Sequence, residues 1–398
     1  MKNIGYLSGA PRVSTKDSSQ TGGPRAHILG VINALQKNGY KVTRFIVGDR
    51  VPEMLEAKDS LKLISGNIFK TILSDIARIL LGFINSIRAY NELKGKVDVV
   101  YERNSLLQSI GWLFKKNGTP WIMESNGIFF EEAKYERNSL VLTKLARKIE
   151  LHGYRKSDYV VCISETLKNL IVEKSGINPQ KVLVIPNGVD TEFFNPSIHK
   201  PIKIFDKGIT IGFVGSVIEW QGLDILINSV AKLKSQGIMV KVCIVGDGPA
   251  LQDLISLSKA LDIESQVSFV GRVGFSQIPS YILGFDLGFS GQVNMKKSKM
   301  YHSPLKLYEY MSMGIPVLAT SFDDAKSTIR NGYNGYLVNP GDEQSLITGL
   351  KNSIMNIDNL KLNSEKSRSE IVNNHSWESK MKKVIDVIDL AIPKGKSL

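Results

Sequence analysis

The sequence predicts an α/β protein built from two Rossmann-like, doubly wound domains facing each other across a cleft. Short β-branched runs alternate with amphipathic helical stretches along nearly all of the 398 residues. Glycine recurs where a strand meets the following helix, at Gly22-Gly23, Gly215 and Gly246, the position at which open parallel sheets let backbone approach phosphate. The alternation also restarts after an irregular polar stretch ending near Lys207. The chain therefore reads as domains 1–196 and 208–376 with a linker between them. A last helix, 377–392, has room to return to the first domain.

Taken in order, Lys2–Leu7 is a strand, followed by a polar loop ending in Thr21-Gly22-Gly23-Pro24. A helix runs from Arg25 to Asn38 with Ile28, Val31, Ile32 and Leu35 on its apolar face, and Lys41–Val47 is the next strand. Residues 70–90 carry Ile72, Ile76, Ile79, Leu80, Phe83, Ile84 and Ile87 as a wide apolar face, with Lys70, Arg78 and Arg88 opposite or flanking. Core packing is the favoured reading, because surface helices of globular domains bury such a face. The competing reading is an interfacial helix lying on anionic lipid. Strands at 97–100 and 120–123 lead into Tyr101-Glu102-Arg103-Asn104-Ser105 and Glu124-Ser125-Asn126-Gly127. Both put polar groups at the carboxyl end of a strand, where open α/β sheets place their sites. Further strands are expected at 158–163 and 182–185, then at 209–214, 240–245, 267–270, 287–290 and 315–319.

Composition narrows the function. Hydrophobic residues make up 42% and charged residues 22%, as in ordinary soluble globular proteins. The net charge is +13, and residues 1–198 hold 28 Lys+Arg against 19 Asp+Glu, or +9. A basic first half suggests an anionic partner, yet no Lys/Arg block with interleaved aromatics marks a nucleic-acid domain. Cys162 and Cys243 sit in apolar runs and read as small buried hydrophobes. The five histidines form no spaced cluster, so no metal site is expected. No signal peptide precedes the first strand and no apolar run reaches the ~18 residues of a membrane span. The expected location is the cytoplasm, with peripheral contact at the inner face of the cell membrane if residues 70–90 touch lipid.

The stretch Ser303-Pro304-Leu305-Lys306-Leu307-Tyr308-Glu309-Tyr310-Met311 reads as a helix with a Ser N-cap and Pro at its first position, ended by Gly314. A capping box would place Glu or Gln at 306; Lys306 there is a cation at the positive end of a helix. An anion docked at that end resolves the conflict, since free N–H groups, the dipole and Lys306 all attract it. Glu309 follows by three residues on the same face, positioned for a sugar diol. The plainer alternative is a surface ion pair between Lys306 and Glu309.

These motifs together resemble glycosyltransferase family 4, retaining enzymes of the GT-B fold that use nucleotide-activated sugars. The resemblance rests on Gly22-Gly23, Ser157-Asp158 with Ile163-Ser164, Pro186-Asn187-Gly188-Val189-Asp190, Phe213-Val214-Gly215, Gly246-Asp247-Gly248-Pro249, Gly271-Arg272-Val273, the 303–311 helix and Gly332-Tyr333-Asn334-Gly335. It implies that Glu309 binds the nucleotide ribose and that Ser303, Pro304, Leu305 and Lys306 hold the diphosphate. It implies that Arg272 and Val273 frame the base, and that Gly22 and Gly23 admit the donor phosphate and sugar. Many members carry Arg and Lys on the diphosphate after Gly215; here Ser216 and Gln221 stand at those positions, leaving Lys306 as the substitute cation. The usual donor-sugar glutamate is Tyr301, and a histidine often found in the first domain is replaced by Asn126, beside Glu124.

The implied reaction moves a sugar from a UDP- or GDP-sugar to a glycan or lipid-linked glycan bound on the first domain, in cell-surface polysaccharide or glycolipid synthesis. Lys306, helped by Arg272, stabilises the leaving diphosphate without a divalent ion, and domain closure excludes water. Glu124 and Asn126 are acceptor-side candidates. A sugar-nucleotide epimerase of the same fold, or a binding protein that has lost catalysis, are the alternatives.

Overall fold

The computed structural model describes residues 1–16, 22–51, 68–294 and 300–392, which gather into two compact units. The first holds the chain up to Asn187, the short stretch ending at His302, and the chain from Trp377; the second holds the remainder.

The first unit is built on six parallel strands, β1 (Asn3–Ser8), β2 (Lys41–Ile46), β3 (Val99–Arg103), β4 (Trp121–Ser125), β5 (Tyr159–Cys162) and β6 (Val182–Val184), in the order β2-β1-β3-β4-β5-β6. The second carries β7 (Ile209–Val214), β8 (Val240–Val245), β9 (Val267–Gly271), β10 (Leu287–Ser290), β11 (Val317–Thr320) and β12 (Gly335–Val338), in the order β12-β11-β10-β7-β8-β9. Central strands such as β1, β4 and β10 are buried along their whole length, as parallel strands with helices on both faces must be. Their apolar runs are short and continuous, which is why periodicity located them. Two strands run further than the sequence predicts: β3 includes Glu102 and Arg103, and β4 includes Glu124 and Ser125. Strand geometry, not loop geometry, therefore aims those side chains. Four-residue β12, next to an Asn-Gly turn, was not predicted.

The chain passes between units at Asn187–Gly188, not within the polar stretch before Lys207. Val189 and Phe194 are buried in the second unit's core, and the N–H of Ile202 donates to the Ser280 carbonyl at 2.8 Å. Within the stretch read as a linker, Ile202 is bonded in this way and Phe205 packs against the same core, while Lys200, Pro201, Lys203 and Lys207 are exposed.

Three further expectations are corrected. Helix Gly22–Lys37 begins at the glycine pair, so Gly22 and Gly23 form its first turn and not a preceding loop. Helix Leu305–Ser312 has Pro304 in the N-cap position, extended at φ −76° and ψ 117°. Ser303 does not cap it, because its hydroxyl is drawn onto the Asp324 carboxylate. Helix Ile68–Leu93 turns its apolar face outward, so core packing does not hold. Phe69, Leu73, Leu80 and Phe83 are exposed, and the buried residues are Thr71, Asp75, Gly82, Asn85, Ser86, Ala89 and Leu93. Each outward Leu, Ile or Phe forgoes roughly 1.5–3 kcal/mol of burial. Polar contacts fix this orientation: Asp75 accepts the N–H groups of Val141 and Leu142 at 2.8 and 3.0 Å and the Arg78 guanidinium at 2.8 Å.

Helix Trp377–Ala391 packs on helix Gly22–Lys37. The Trp377 indole meets the His27 ring edge-on at 4.9 Å and covers Gly30 so closely that a Cβ there would run into it. Asp389 accepts from Lys2 at 2.8 Å and Tyr40 at 2.6 Å. Gly30→Ala is expected to lower stability by about 1–3 kcal/mol through overpacking. Trp377→Ala alone is expected to cost about 3–5 kcal/mol. The double variant, in thermal melts, is expected to lose less than the sum, because removing the indole relieves the clash.

Candidate functional site

In the second unit the strand order reverses between β7 and β10, and open α/β sheets bind ligands beyond the carboxyl ends of strands at such a point. Gly215 and exposed Ser216 follow β7, Gly291 and Gln292 follow β10, and helix Leu305–Ser312 delivers Lys306. Gly246, at φ 144°, lies against the Gly215 carbonyl with no room for a side chain.

Lys306 is only 8% exposed. Its Nζ donates to Gln221 Oε1 at 2.6 Å and stands 3.9 Å over the centre of the Phe213 ring. An ammonium group out of water needs such partners. Gln221 Oε1 also accepts from Gln292 Nε2 at 3.4 Å, and Gln292 Oε1 accepts from Ser290 Oγ at 3.1 Å, a short relay that fixes the amide. A Cβ on Gly215 would lie 3.4 Å from Nζ, so the glycine keeps one side of the ammonium open.

Burial lowers the Lys306 pKa to about 7, with the Glu309 charge opposing the shift. Burial raises Glu309 to about 7, with Lys306 opposing. The pair thus sits at the edge of neutrality and would be drawn to full positive charge at Lys306 by an incoming anion. The surface ion pair entertained from sequence does not describe it, since Lys306 is buried and its Nζ is engaged by Gln221 and Phe213. Arg272 is exposed just past β9, two strands from β7, and Val273 packs beside the second unit's apolar core. The structure therefore joins Gly215, Gln221 and Lys306, with Glu309 one turn on, and leaves Arg272 apart from them. Ser303 serves the Asp324 carboxylate at the start of helix Asp323–Thr328.

In the first unit the carboxyl ends of β3 and β4 carry a charged cluster. Glu124, 2% exposed, accepts from Arg103 Nη1 at 3.2 Å and Asn126 Nδ2 at 2.7 Å, and the His27 Nε2 lies 2.6 Å from the same Oε1. Burial pushes this carboxyl upward, but His27, Arg103 and Asn126 outweigh it and hold the pKa at about 2. Glu124 is accordingly a fixed anion that orients Arg103 and Asn126. His27 Nδ1 is 2.9 Å from Asn187 Oδ1. Sequence reasoning passed over His27; the signal was a histidine four residues before Val31, on the apolar face of its helix. Glu102 accepts the N–H groups of Ile110 and Gly111 at 2.7 and 2.8 Å and holds a loop. Gly22 has open space where a Cβ would stand.

Tyr301 is buried and committed. Its hydroxyl donates to Glu132 Oε1 at 2.7 Å and accepts the Ile128 N–H at 3.2 Å, while its carbonyl takes the Ser164 hydroxyl at 2.8 Å. Among the described residues no group of three or more His, Cys, Asp or Glu is placed to hold a metal ion.

Comparison with known proteins follows the same division. Residues 21–193 match the model of Glycosyltransferase Family 4, and residues 194–373 match that of Glycosyl transferases group 1. The chain is 26% identical over 302 residues to an uncharacterised glycosyltransferase of Methanocaldococcus jannaschii, covering 74% of this chain and 75% of that one. It is 24% identical over 315 residues to the UDP-Gal:alpha-D-GlcNAc-diphosphoundecaprenol alpha-1,3-galactosyltransferase of Escherichia coli, covering 76% and 78%. Among solved structures, a Rickettsia africae glycosyltransferase superposes with a TM-score of 0.69 at 18% identity over 99% of both chains. Anabaena HepE in complex with UDP gives 0.65 at 15% identity over 98% of this chain and 100% of that one.

The Glu124 cluster carries a measurable consequence. A folded pKa of about 2 lies below the ordinary unfolded value of ~4.5, so the stabilisation is complete above that value and is lost as pH falls through 2. The span corresponds to about 3 kcal/mol. Glu124→Gln is expected to lower the melting temperature at neutral pH and to flatten the acid limb between pH ~4.5 and ~2 relative to the parent. Circular-dichroism melts across pH check both effects.

Proposed function

Because the chain belongs to glycosyltransferase family 4, with a group 1 second half and two parallel α/β sheets like those of its GT-B neighbours, it is a glycosyltransferase, and we propose the following reaction for it. It transfers a hexosyl group from a nucleoside diphosphate sugar to a glycan or lipid-linked glycan, with retention at the anomeric carbon, in synthesis of cell-surface polysaccharide or glycolipid. The observation that carries the donor reading is the buried ammonium of Lys306, near neutrality and open on its Gly215 side. UDP is the first nucleotide to test, since HepE binds it.

In this reaction the bond from the anomeric carbon to the phosphate oxygen breaks and its electron pair stays on the departing diphosphate. The acceptor hydroxyl oxygen bonds to the same face of that carbon, and its proton passes to the leaving phosphate oxygen. Lys306 and the N-terminal end of helix 305–312 meet the growing negative charge, the kind of preorganised interaction that dominates catalysis. Glu309 accepts from the ribose diol. Asn126 and Arg103, held by Glu124, face the acceptor. Ser216 and Gln221 lack the charge of the family's usual residues there, and the support for Lys306 as the substitute is the Gln221 contact that aims it.

A thermal-shift screen against UDP- and GDP-sugars tests the reading. Lys306→Ala is expected to abolish most of the shift and Glu309→Ala to weaken it, and absence of any shift with every sugar nucleotide would overturn the proposal. The pH dependence has a definite sign. Above pH ~7, where Lys306 loses its charge in the free protein, affinity is expected to fall by up to about tenfold per unit. The diphosphate of a sugar nucleotide keeps its charge throughout, and Lys306→Ala should remove the dependence. Titration calorimetry between pH 6 and 9 would measure it.

A further inference from the structure

We propose that the outward face of helix 68–93 docks on the surface of an anionic lipid bilayer and holds the first unit there. The proposal deepens the lipid-linked acceptor reading and rests on it for its purpose, though not for its observations. Those begin with an inverted helix. Phe69 is 80% exposed, Leu73 66%, and Leu80 and Phe83 58% each, and Ile76 and Ile87 continue the stripe. The opposite side is locked inward. Asp75 takes the backbone at 141 and 142, and Ser86 Oγ donates to the Gly82 carbonyl at 2.7 Å and the Ser109 carbonyl at 3.2 Å. Gly82 approaches so closely that a Cβ would stand 3.0 Å from Gln108 Cγ. Rotating the helix to hide its apolar stripe would bury none of it without breaking these contacts.

Charge selects the occupant. Lys70 and Arg88 are exposed, about five turns apart, and share one bearing beside the stripe. Of the two acidic residues in the helix, Asp75 is buried and Glu92 pairs with Arg50 at 2.7 Å, so none faces outward unpaired. Arg12, Arg78 and Arg137 cluster together, with Asp75 taking Arg78 at 2.8 Å and Glu132 taking Arg137 at 2.6 Å, so the charge offered to a partner comes chiefly from Lys70 and Arg88. A second copy of the chain pairing stripe to stripe in antiparallel fashion would bring Lys70 against Arg88, like against like. A bilayer bearing anionic headgroups offers the opposite charge and an apolar layer a few ångströms below it. From Phe69 to Ile87 the stripe runs about 27 Å along the helix. Among the described residues no helix is long and apolar enough to cross a membrane, so the contact lies in the interface.

Co-sedimentation of the full chain with vesicles of phosphatidylcholine alone, and with phosphatidylglycerol added, tests this. Binding is expected only to the anionic vesicles and to weaken with salt. Leu80→Glu with Phe83→Glu should reduce it by about tenfold or more, and Lys70→Glu with Arg88→Glu should reduce it and remove its salt dependence. All four positions are exposed, so unchanged melting temperatures verify the fold. Equal or negligible binding to both vesicles would overturn the proposal. So would a dimer in analytical ultracentrifugation that Leu80→Glu with Phe83→Glu dissociates, which would make the stripe an interface between copies. Vesicle binding needs no donor, so anionic binding without any sugar-nucleotide shift would sustain the docking while refuting the reaction proposed above.

Discussion

An ammonium group held out of water governs the second unit. Lys306 has one amide oxygen and one aromatic face in place of hydration, partners enough to seat it but too few to hold its proton firmly, which is why its pKa falls to about 7. The surrounding residues follow from that placement. Gln221 must point its oxygen at Nζ, and Gln292 and Ser290 keep it from turning. Gly215 must lack a side chain if anything is to approach from the open side. The reversal of strand order between β7 and β10 brings all of these to one edge of the sheet. A fully solvated lysine would attract an anion too, but it would surrender a hydration shell to do so. One already stripped of water has little left to lose and gains its charge at the moment of contact.

The first unit buries charge by the opposite arrangement. Glu124 has three partners converging on its carboxylate, so burial is overruled and the group stays ionised down to about pH 2. Such a carboxylate cannot exchange a proton at neutral pH. In the proposed reaction this makes Glu124 a weak base, and the departing phosphate oxygen takes the acceptor's proton. Its work is to position Arg103 and Asn126, and through His27 to tie the first helix to β4. In the proposed reaction one unit therefore holds a charge that responds to ligand, the other a charge that does not.

Much of this was legible from sequence, and the limits have physical causes. Strands 209–214, 240–245 and 287–290 were read to the residue because buried parallel strands are short unbroken apolar runs bounded by glycine. Lys306 stood out because a cation at a helix start violates the dipole rule, and the structure seats that cation against Gln221 and Phe213. The capping role of Ser303 failed because its hydroxyl had a stronger acceptor in Asp324, 21 residues away. His27 was missed for the same kind of reason: its partners Glu124 and Asn187 are remote in sequence. Helix 68–93 is the sharpest case. Periodicity shows that a helix has an apolar side but not which side faces inward, and here the decision lay with Asp75 and backbone groups 66 and 67 residues downstream.

Tyr301 shows how a single departure from a family pattern can be read physically. The resemblance implies a glutamate at this position, reaching a hydroxyl of the donor sugar. A tyrosine is not a longer-armed equivalent, because its hydroxyl here donates to Glu132 and accepts from Ile128, and its carbonyl is taken by Ser164. Burial and the Glu132 charge both hold the phenol neutral, so it cannot stand in for a carboxylate. The stretch ending at His302 is thereby fastened to the first unit, and the chain enters the second immediately afterwards, a few residues before Lys306. Tyr301 is an anchor for the segment that leads into helix 305–312, where the proposed reaction seats the diphosphate, and in that reaction selection among donor sugars falls to other groups.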